Sequence, residues 1–202
     1  LQSSFLLFSR HLTHLELTEN TLDQVSGTWL NAFSPGCTSL VSLDFKDLDH
    51  ELDFEALESL VNRCTGLEIL KLNRAVSLTQ LKLLVSKLPH LIELGVGSFS
   101  PAVPVEDQTS LSVCLRNCTQ LRSLSGFWII TPGYLSIIYP ICSSLVSLNL
   151  SYSPICDGEL ADVVSHCYNL RKLWVSCRTL TYGLCEKTTN FFIDCQCMFY
   201  LC

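Results

Sequence analysis

Cysteine and histidine are the side chains of this sequence most able to do chemistry, since its 202 residues include 12 cysteines and 5 histidines. A thiolate becomes a catalytic nucleophile when a histidine lies within hydrogen-bonding reach and a third group orients that histidine. No local spacing here supplies such an arrangement, and so many candidates make a chance Cys–His pair unsurprising. We therefore predict no enzymatic activity and no catalytic residue. The histidines are scattered, at His11, His14, His50, His90 and His166.

Two cysteine pairs have the short spacing that metal sites use. Cys195 and Cys197 lie two residues apart near the C-terminus, and Cys114 and Cys118 lie one helical turn apart. A structural zinc site needs four ligands, and neither pair has a partner pair at a recognisable spacing. Cys114 and Cys118 fit the apolar face of a helix better. We predict no metal centre.

Five cysteine positions, one of them Cys118, are regular, each three residues before a recurring leucine. Such placement is typical of buried thiols that pack as small apolar side chains. Because disulfides seldom persist in the cytosol and nucleus, we interpret the chain as reduced and intracellular. The alternative, an extracellular disulfide framework, predicts that these cysteines are paired. They are Cys37, Cys64, Cys118, Cys142 and Cys167.

The recurring leucine opens a repeating unit, seen most clearly between Cys142 and Leu170. Leu145, Leu148 and Leu150 alternate as in a short strand with one buried side. A turn and a helical apolar stripe follow, with Asp157 as the helix N-cap. Such a strand–turn–helix unit buries its apolar face by stacking on copies of itself. The leucine recurs every 24 to 30 residues, at Leu12, Leu40, Leu67, Leu91, Leu121, Leu145 and Leu170.

This spacing matches the roughly 20–29 residues of leucine-rich repeats. It predicts an α/β leucine-rich-repeat solenoid, an open arc with parallel strands on the concave face and helices on the convex face. Full helices with cysteine at their ends favour the cysteine-containing subtype. We assign residues 1–176 to an array of about six to seven repeats, a fragment of a longer one. Residues 177–202 are assigned to an aberrant, poorly ordered tail, because the leucine pattern stops there.

The composition excludes three broad classes. Apolar residues make up 48% of the chain and charged residues 16%, which excludes a disordered protein. The net charge of −6 argues against a nucleic-acid partner, which normally requires a basic stripe. No apolar run approaches the length of a membrane-spanning helix, so we expect no membrane partner.

Positions two, four and six residues after each leucine should face the concave surface, since side chains alternate along a strand. An exposed aromatic or basic side chain there would anchor a protein partner, whereas the alternative is packing between strands. Gly95 and Gly97 are interpreted as a closely approached strand end, because a dinucleotide loop needs a third glycine. The candidate protein-binding residues are Lys71, Arg74, Phe127, Trp128, Tyr152 and Trp174.

Seven collinear stretches between about residues 10 and 175 are more specific than leucine spacing. They read DQVSGTWLNAF, TSLVSLDF, LKLNRAVSL, ELGVGSF, LRSLSGFW, SSLVSLNLSY and LRKLWV. In these stretches the chain resembles the plant auxin-receptor F-box proteins of the transport-inhibitor-response class, most specifically in KLNRAV and LSGFW. The jasmonate-receptor relatives share the architecture, but the motifs are closer to the auxin branch.

The resemblance implies a nuclear protein, the substrate-recognition subunit of an SCF-type, cullin-based ubiquitin ligase. In that family auxin joins the repeat array to the degron of a transcriptional repressor, and inositol hexakisphosphate is a structural cofactor. The F-box that docks the adaptor and the later repeats that hold the hormone pocket have no match here. We therefore expect no adaptor binding and neither cofactor on this fragment. Its cofactor-binding residues stay unknown, and no hormone contact is assigned.

A generic leucine-rich-repeat module for protein interaction remains the alternative function. It would resemble either the jasmonate receptors or the immune receptors. The immune-receptor form predicts paired cysteines and glycosylated asparagines, and a count of free thiols distinguishes it.

Overall fold

A computed structural model describes residues 9–18, 27–48, 51–97, 105–127, 134–151, 153, 155–176 and 192–196. These residues form one parallel sheet whose eight strands follow each other in chain order. A parallel neighbour requires a crossover connection, which explains why a helix or turn-rich segment separates each pair of strands. The strands are β1 (His14–Glu16), β2 (Ser42–Asp44), β3 (Ile69–Lys71), β4 (Glu93–Gly95), β5 (Ser123–Ser125), β6 (Ser147–Leu150), β7 (Lys172–Ser176) and β8 (Phe192–Gln196).

The register of the sheet follows the leucine pattern. The second leucine of each repeat lies opposite its equivalent in the next, so Leu43 pairs with Leu70 and Leu124 pairs with Leu148. A shift by one residue would turn every leucine to the other face, and burial therefore fixes this register. The architecture is the α/β, parallel-sheet arrangement that the sequence predicts, and it is compatible with a leucine-rich-repeat solenoid.

The helices lie between the strands in the chain. They are α1 (Phe54–Arg63), α2 (Leu78–Val85), α3 (Val105–Arg116), α4 (Tyr139–Cys142) and α5 (Asp157–His166), with 3₁₀ segments at Ser9–His11, Gly27–Ala32 and Tyr134–Ile138. In the part of the chain that the structure describes, no helix is long and apolar enough to cross a membrane.

Helix starts are fixed by side chains that bind free backbone N–H groups. At α2 the Gln80 backbone N–H donates to Ser77 Oγ at 3.3 Å, and the Ser77 N–H donates to the Gln80 side chain at 2.8 Å. At α5 the expected N-cap is wrong by one residue, because Asp157 is already the first helical residue. Cys156 is the N-cap instead, and its N–H donates to Glu159 Oε2 at 3.2 Å.

The core fills the space between sheet and helices. Leucines of the strand pattern such as Leu43, Leu70, Leu94 and Leu148 are fully buried, and each buried leucine contributes roughly 1.5–3 kcal/mol. Leu15 of β1 is only partly buried, because β1 is the first strand of the described sheet and has a neighbour on one side only.

The expected tail contains one strand. β8 pairs in parallel with β7 and places Ile193 opposite Leu173 and Cys195 opposite Val175. The sequence pattern missed this strand because no leucine of the repeat type precedes it. The other residues of 177–202 lie outside the described part, so the assignment of the tail stays a prediction.

Candidate functional site

Alternate strand positions form two rows of side chains on the face away from the helices, which we call the open face. The central row runs across six neighbouring strands through residues that lie opposite each other in the register: Asp44, Lys71, Gly95, Ser125, Asn149 and Trp174. Neighbouring strands lie about 4.8 Å apart, so successive side chains of a row are in reach of one another.

Charged side chains of opposite sign bind each other at one end of this row. Lys71 Nζ lies 3.3 Å from Asp44 Oδ2 and 3.1 Å from Glu93 Oε1. Lys46 Nζ lies 3.3 Å from the same Asp44 oxygen and 3.3 Å from Asp47 Oδ2. We call these five residues the charge cluster. It joins β2, β3 and β4 through side chains, in addition to their backbone hydrogen bonds.

The cluster is partly buried. The Asp44 side chain is 9% exposed and that of Lys71 is 23% exposed. Burial disfavours the charged form of Lys71, but the hydrogen bonds and charges of Glu93 and Asp44 outweigh it and raise the pKa of Lys71. Lys71 lies on the open face, and its ammonium group already binds two carboxylates.

The turns that follow the strands are stacked at backbone distance. A Cβ atom on Gly97 would lie 2.0 Å from the carbonyl oxygen of Asn73 and 3.0 Å from the Cα of Arg74. This confirms the closely approached strand end predicted at Gly95 and Gly97. Buried Asn73 donates through Nδ2 to Leu48 O at 2.9 Å, which links this turn to the preceding repeat. Arg74, the second candidate, lies exposed in the same turn.

Phe127 is a correction to the sequence prediction, since its side chain is only 2% exposed and packs in the core. Alternation fails there because β5 ends at Ser125 and the next two residues are left-handed, with φ of 103° at Gly126 and 60° at Phe127. Ser153 Oγ donates to the buried Phe127 carbonyl at 2.8 Å. Phe127 therefore holds a turn in place and is not an exposed anchor.

The remaining aromatic candidates have different outcomes. Trp174 lies half-buried on β7, opposite Asn149 in the register, and remains available as an anchor on the open face. Trp128 and Tyr152 lie outside the described residues. Of the six predicted residues, Lys71 and Trp174 share the central row, and Arg74 lies at the end of β3.

The regular cysteines are buried, as the sequence predicts, and all five are free thiols. Cys64 Sγ donates to the Cys37 carbonyl at 3.3 Å, and Cys118 Sγ donates to the Leu88 carbonyl at 3.8 Å, so each thiol contacts the preceding repeat. Burial raises the pKa of Cys37 and of Cys118 to about 11. These thiols are poor nucleophiles, because the thiolate is the reactive form.

The side chains of the described residues offer groups for binding rather than a metal centre. Among those residues no cluster of three histidine, cysteine or acidic side chains could hold a metal ion. The open face instead offers charged, small polar and aromatic groups, which suits recognition of another protein.

A groove that sequence reasoning missed lies at the edge where the chain returns from the helices into β5, β6 and β7. Its lining residues are Arg122, Ser143, Ser144, Val146, Asn169 and Arg171. The signal was present, because arginine directly follows the repeat leucine at Leu121 and at Leu170. That position was not among those expected to face a binding surface.

The fold is a stacked array of strand–helix units with a charged and aromatic open face, and sequence comparison supplies the proteins it is related to. No family model matches the chain. It is 45% identical over 166 residues to GRR1-like protein 1 of Arabidopsis thaliana, which covers 82% of this chain and 28% of that protein. It is 42% identical over 175 residues to a transport inhibitor response 1-like protein of Oryza sativa subsp. japonica, over 87% of this chain and 30% of that protein.

A third relative, F-box protein FBX14 of Arabidopsis thaliana, is 40% identical over 167 residues, or 82% of this chain and 27% of that protein. The chain belongs to the family of transport inhibitor response 1-like F-box proteins, which confirms the resemblance seen in its motifs. It spans less than a third of the length of these relatives.

Proposed function

We propose that this chain is the leucine-rich-repeat part of the substrate-recognition subunit of an SCF-type E3 ubiquitin ligase in auxin signalling. The observation that carries the proposal is the similarity to F-box relatives, which extends over 82–87% of the chain. It therefore includes the strand–helix units as well as their leucines. The buried cysteines at the helix ends support assignment to the cysteine-containing subtype.

The open face supplies the means of recognition in this proposal. The charge cluster holds β2, β3 and β4 in register, so that side chains of the central row are presented from a rigid sheet. Trp174 offers an aromatic surface at the other end of that row. A rigid array binds without a large ordering cost, which favours affinity. The chain contributes recognition, and ubiquitin transfer would belong to the other subunits of the ligase.

For the whole protein we propose, by resemblance, that auxin lies between the array and a transcriptional-repressor degron and that inositol hexakisphosphate is a structural cofactor. We propose a nuclear location on the same ground. None of the described residues is assigned to either ligand. The second candidate is a leucine-rich-repeat module for protein interaction that does not respond to auxin.

A chimera tests the proposed function. Residues 10–175 would replace the matching segment of the full-length rice relative, and capture of a repressor degron would be measured with and without auxin. We expect hormone-dependent capture, since the exchanged segment is matched along its length and the later repeats of the rice protein are kept. A chimera that is folded by circular dichroism yet captures no degron would contradict the proposal.

The isolated 202-residue chain supplies the complementary measurement. We expect it to capture neither the ligase adaptor nor, in a hormone-dependent way, the degron. Robust hormone-dependent capture would place the hormone pocket within this chain. Capture of the degron by the chimera without any response to auxin would favour the second candidate.

A further inference from the structure

The groove at the returning edge of β5, β6 and β7 is separate from the open face, and nothing in the proposed function uses it. It is an open cavity of about 550 Å³. Arg122 and Arg171 lie on either side of Val146, and each of the three residues directly precedes the first residue of its strand. The sheet order β5–β6–β7 therefore sets the separation of the two arginines.

The floor of this groove is held by internal hydrogen bonds. Asn169 Nδ2 donates to Ser143 O at 2.7 Å, and Ser144 Oγ donates to Leu121 O at 2.8 Å. Arg122 Nη1 donates to Ser144 O at 3.2 Å, which fixes its guanidinium group and leaves its other N–H groups for a ligand. Serine and asparagine thus serve as the frame, and the arginines supply the binding groups.

The charge of the groove is opposite to that of the chain. Two guanidinium groups line it and no carboxylate does, although the chain as a whole carries a net charge of −6. Among the described residues, the Arg171 side chain makes no hydrogen bond or ion pair. A pair of positive charges without carboxylate partners on an acidic protein indicates a local site for anions.

Aromatic and apolar surface borders the same edge. Tyr168 is 81% exposed and directly precedes Asn169 of the groove, and Ile92 is exposed at the equivalent edge of β4. Tyrosine and arginine are enriched among the residues that dominate the energy of protein interfaces. The combination favours a peptide, which brings both carboxylates and apolar groups, over a bare inorganic anion.

We propose that this groove docks an extended acidic segment of a partner protein, with two carboxylates that bind Arg122 and Arg171. The backbones of Arg122 and Arg171 are two interstrand spacings apart, which is about 10 Å. An extended polyproline II peptide advances about 3.1 Å per residue and returns to the same face every third residue. Carboxylates three residues apart are therefore about 9 Å apart and match the two guanidinium groups, each of which binds a carboxylate bidentately.

Fluorescence anisotropy tests this proposal with a fluorescein-labelled octapeptide that contains Glu-Pro-Pro-Glu, and with the same peptide carrying Gln-Pro-Pro-Gln. We expect the 202-residue chain to bind the glutamate peptide at least tenfold more tightly. Arg122→Glu and Arg171→Glu should each weaken binding at least tenfold, because each replaces an attractive charge by one that repels the carboxylate of the peptide. Arg122→Lys and Arg171→Lys keep the charge and should give a smaller loss.

Arg10→Glu is the matched control, since it changes the charge by the same amount at the opposite end of the array. It should leave peptide affinity within twofold, and the melting curves of all variants should overlay. Equal affinity for both peptides, no binding by the wild type below millimolar concentration, or an equal loss in Arg10→Glu would overturn the proposal. Because the net charge repels an acidic peptide, general attraction would not mimic a positive result.

Discussion

The carbonyl oxygen of Asn73 lies 2.0 Å from the position that a Cβ atom on Gly97 would occupy. The turn after β4 therefore packs directly on the turn after β3, with backbone against backbone. Gly126 repeats the relationship one repeat later, because its Cβ position lies 1.8 Å from the carbonyl oxygen of Val96. These contacts set how closely the ends of successive repeats can stack.

Gly97→Ala should therefore destabilise the array. The added methyl group meets backbone atoms, which have no rotamer that avoids it, and we expect a loss of about 2–4 kcal/mol in the free energy of unfolding. Urea denaturation measures this. Gly158→Ala is the matched control, because nothing lies within 4 Å of its Cβ position and it sits inside α5. That control should be neutral or stabilising by up to about 1 kcal/mol, and equal stability of the two variants would contradict the stacking.

The contrast between these glycines and Phe127 shows what the sequence could predict. Leucine spacing predicted the strands and the buried cysteines, and it is consistent with the register of the sheet. Burial of one face of each strand allows few other arrangements of the leucines. Alternation also predicted that Asp44, Lys71 and Trp174 lie on the same face of the sheet. It failed at Phe127, because a left-handed turn is a property of backbone dihedral angles that leucine spacing does not encode. Arg122 and Arg171 were missed because an edge groove forms only when separate repeats stack.

Lys71→Met should lower the stability of the chain at neutral pH. It leaves Asp44, whose side chain is 9% exposed, without one of its two lysine partners, and it leaves Glu93 unpaired in the cluster. Because the site is partly solvated, we expect a loss of about 1 kcal/mol. Lys172→Met, at an exposed position of β7, is the control and should change stability by less than about 0.5 kcal/mol.

Lys71 should also make the free energy of unfolding depend on pH. The pKa of Lys71 in the folded chain lies above its ordinary value. Burial lowers this pKa, but the carboxylates of Glu93 and Asp44 raise it by more. The stabilisation that protonated Lys71 contributes is complete at pH values below its pKa in the unfolded chain, about 10.4. It is lost as the pH rises through the pKa of Lys71 in the folded chain. The difference in unfolding free energy between wild type and Lys71→Met should therefore shrink above pH 10.5 and stay constant between pH 7 and 9. A difference that grows with alkalinity would contradict this assignment.

The buried thiols should resist alkylation in the native chain. Burial raises the pKa of Cys118 to about 11, so at pH 8 only about one molecule in a thousand carries the thiolate there. Cys156 is exposed at the start of α5 and is the internal reference. Iodoacetamide treatment followed by peptide mass spectrometry should modify Cys156 first, and Cys118 only in urea. Modification of both at the same rate would show that Cys118 is accessible.

Trp174 and Phe127 offer the sharpest test of where a partner binds. Phe127 is 2% exposed, so Phe127→Ala should remove about 3–4 kcal/mol of stability by leaving a cavity in the core. Trp174 is half-buried on the open face, and Trp174→Ala should cost no more than about 1.5 kcal/mol. In the chimera with the rice relative, we expect Trp174→Ala to weaken degron capture at least tenfold, as loss of an aromatic anchor does. Leu83→Ala, an exposed position on α2, should leave capture unchanged.

The opposite result would be that Trp174→Ala unfolds the chain as readily as Phe127→Ala, while the molecules that remain folded still capture the degron. The indole of Trp174 would then be a packing residue of the sheet. The binding surface would then have to lie elsewhere on the array.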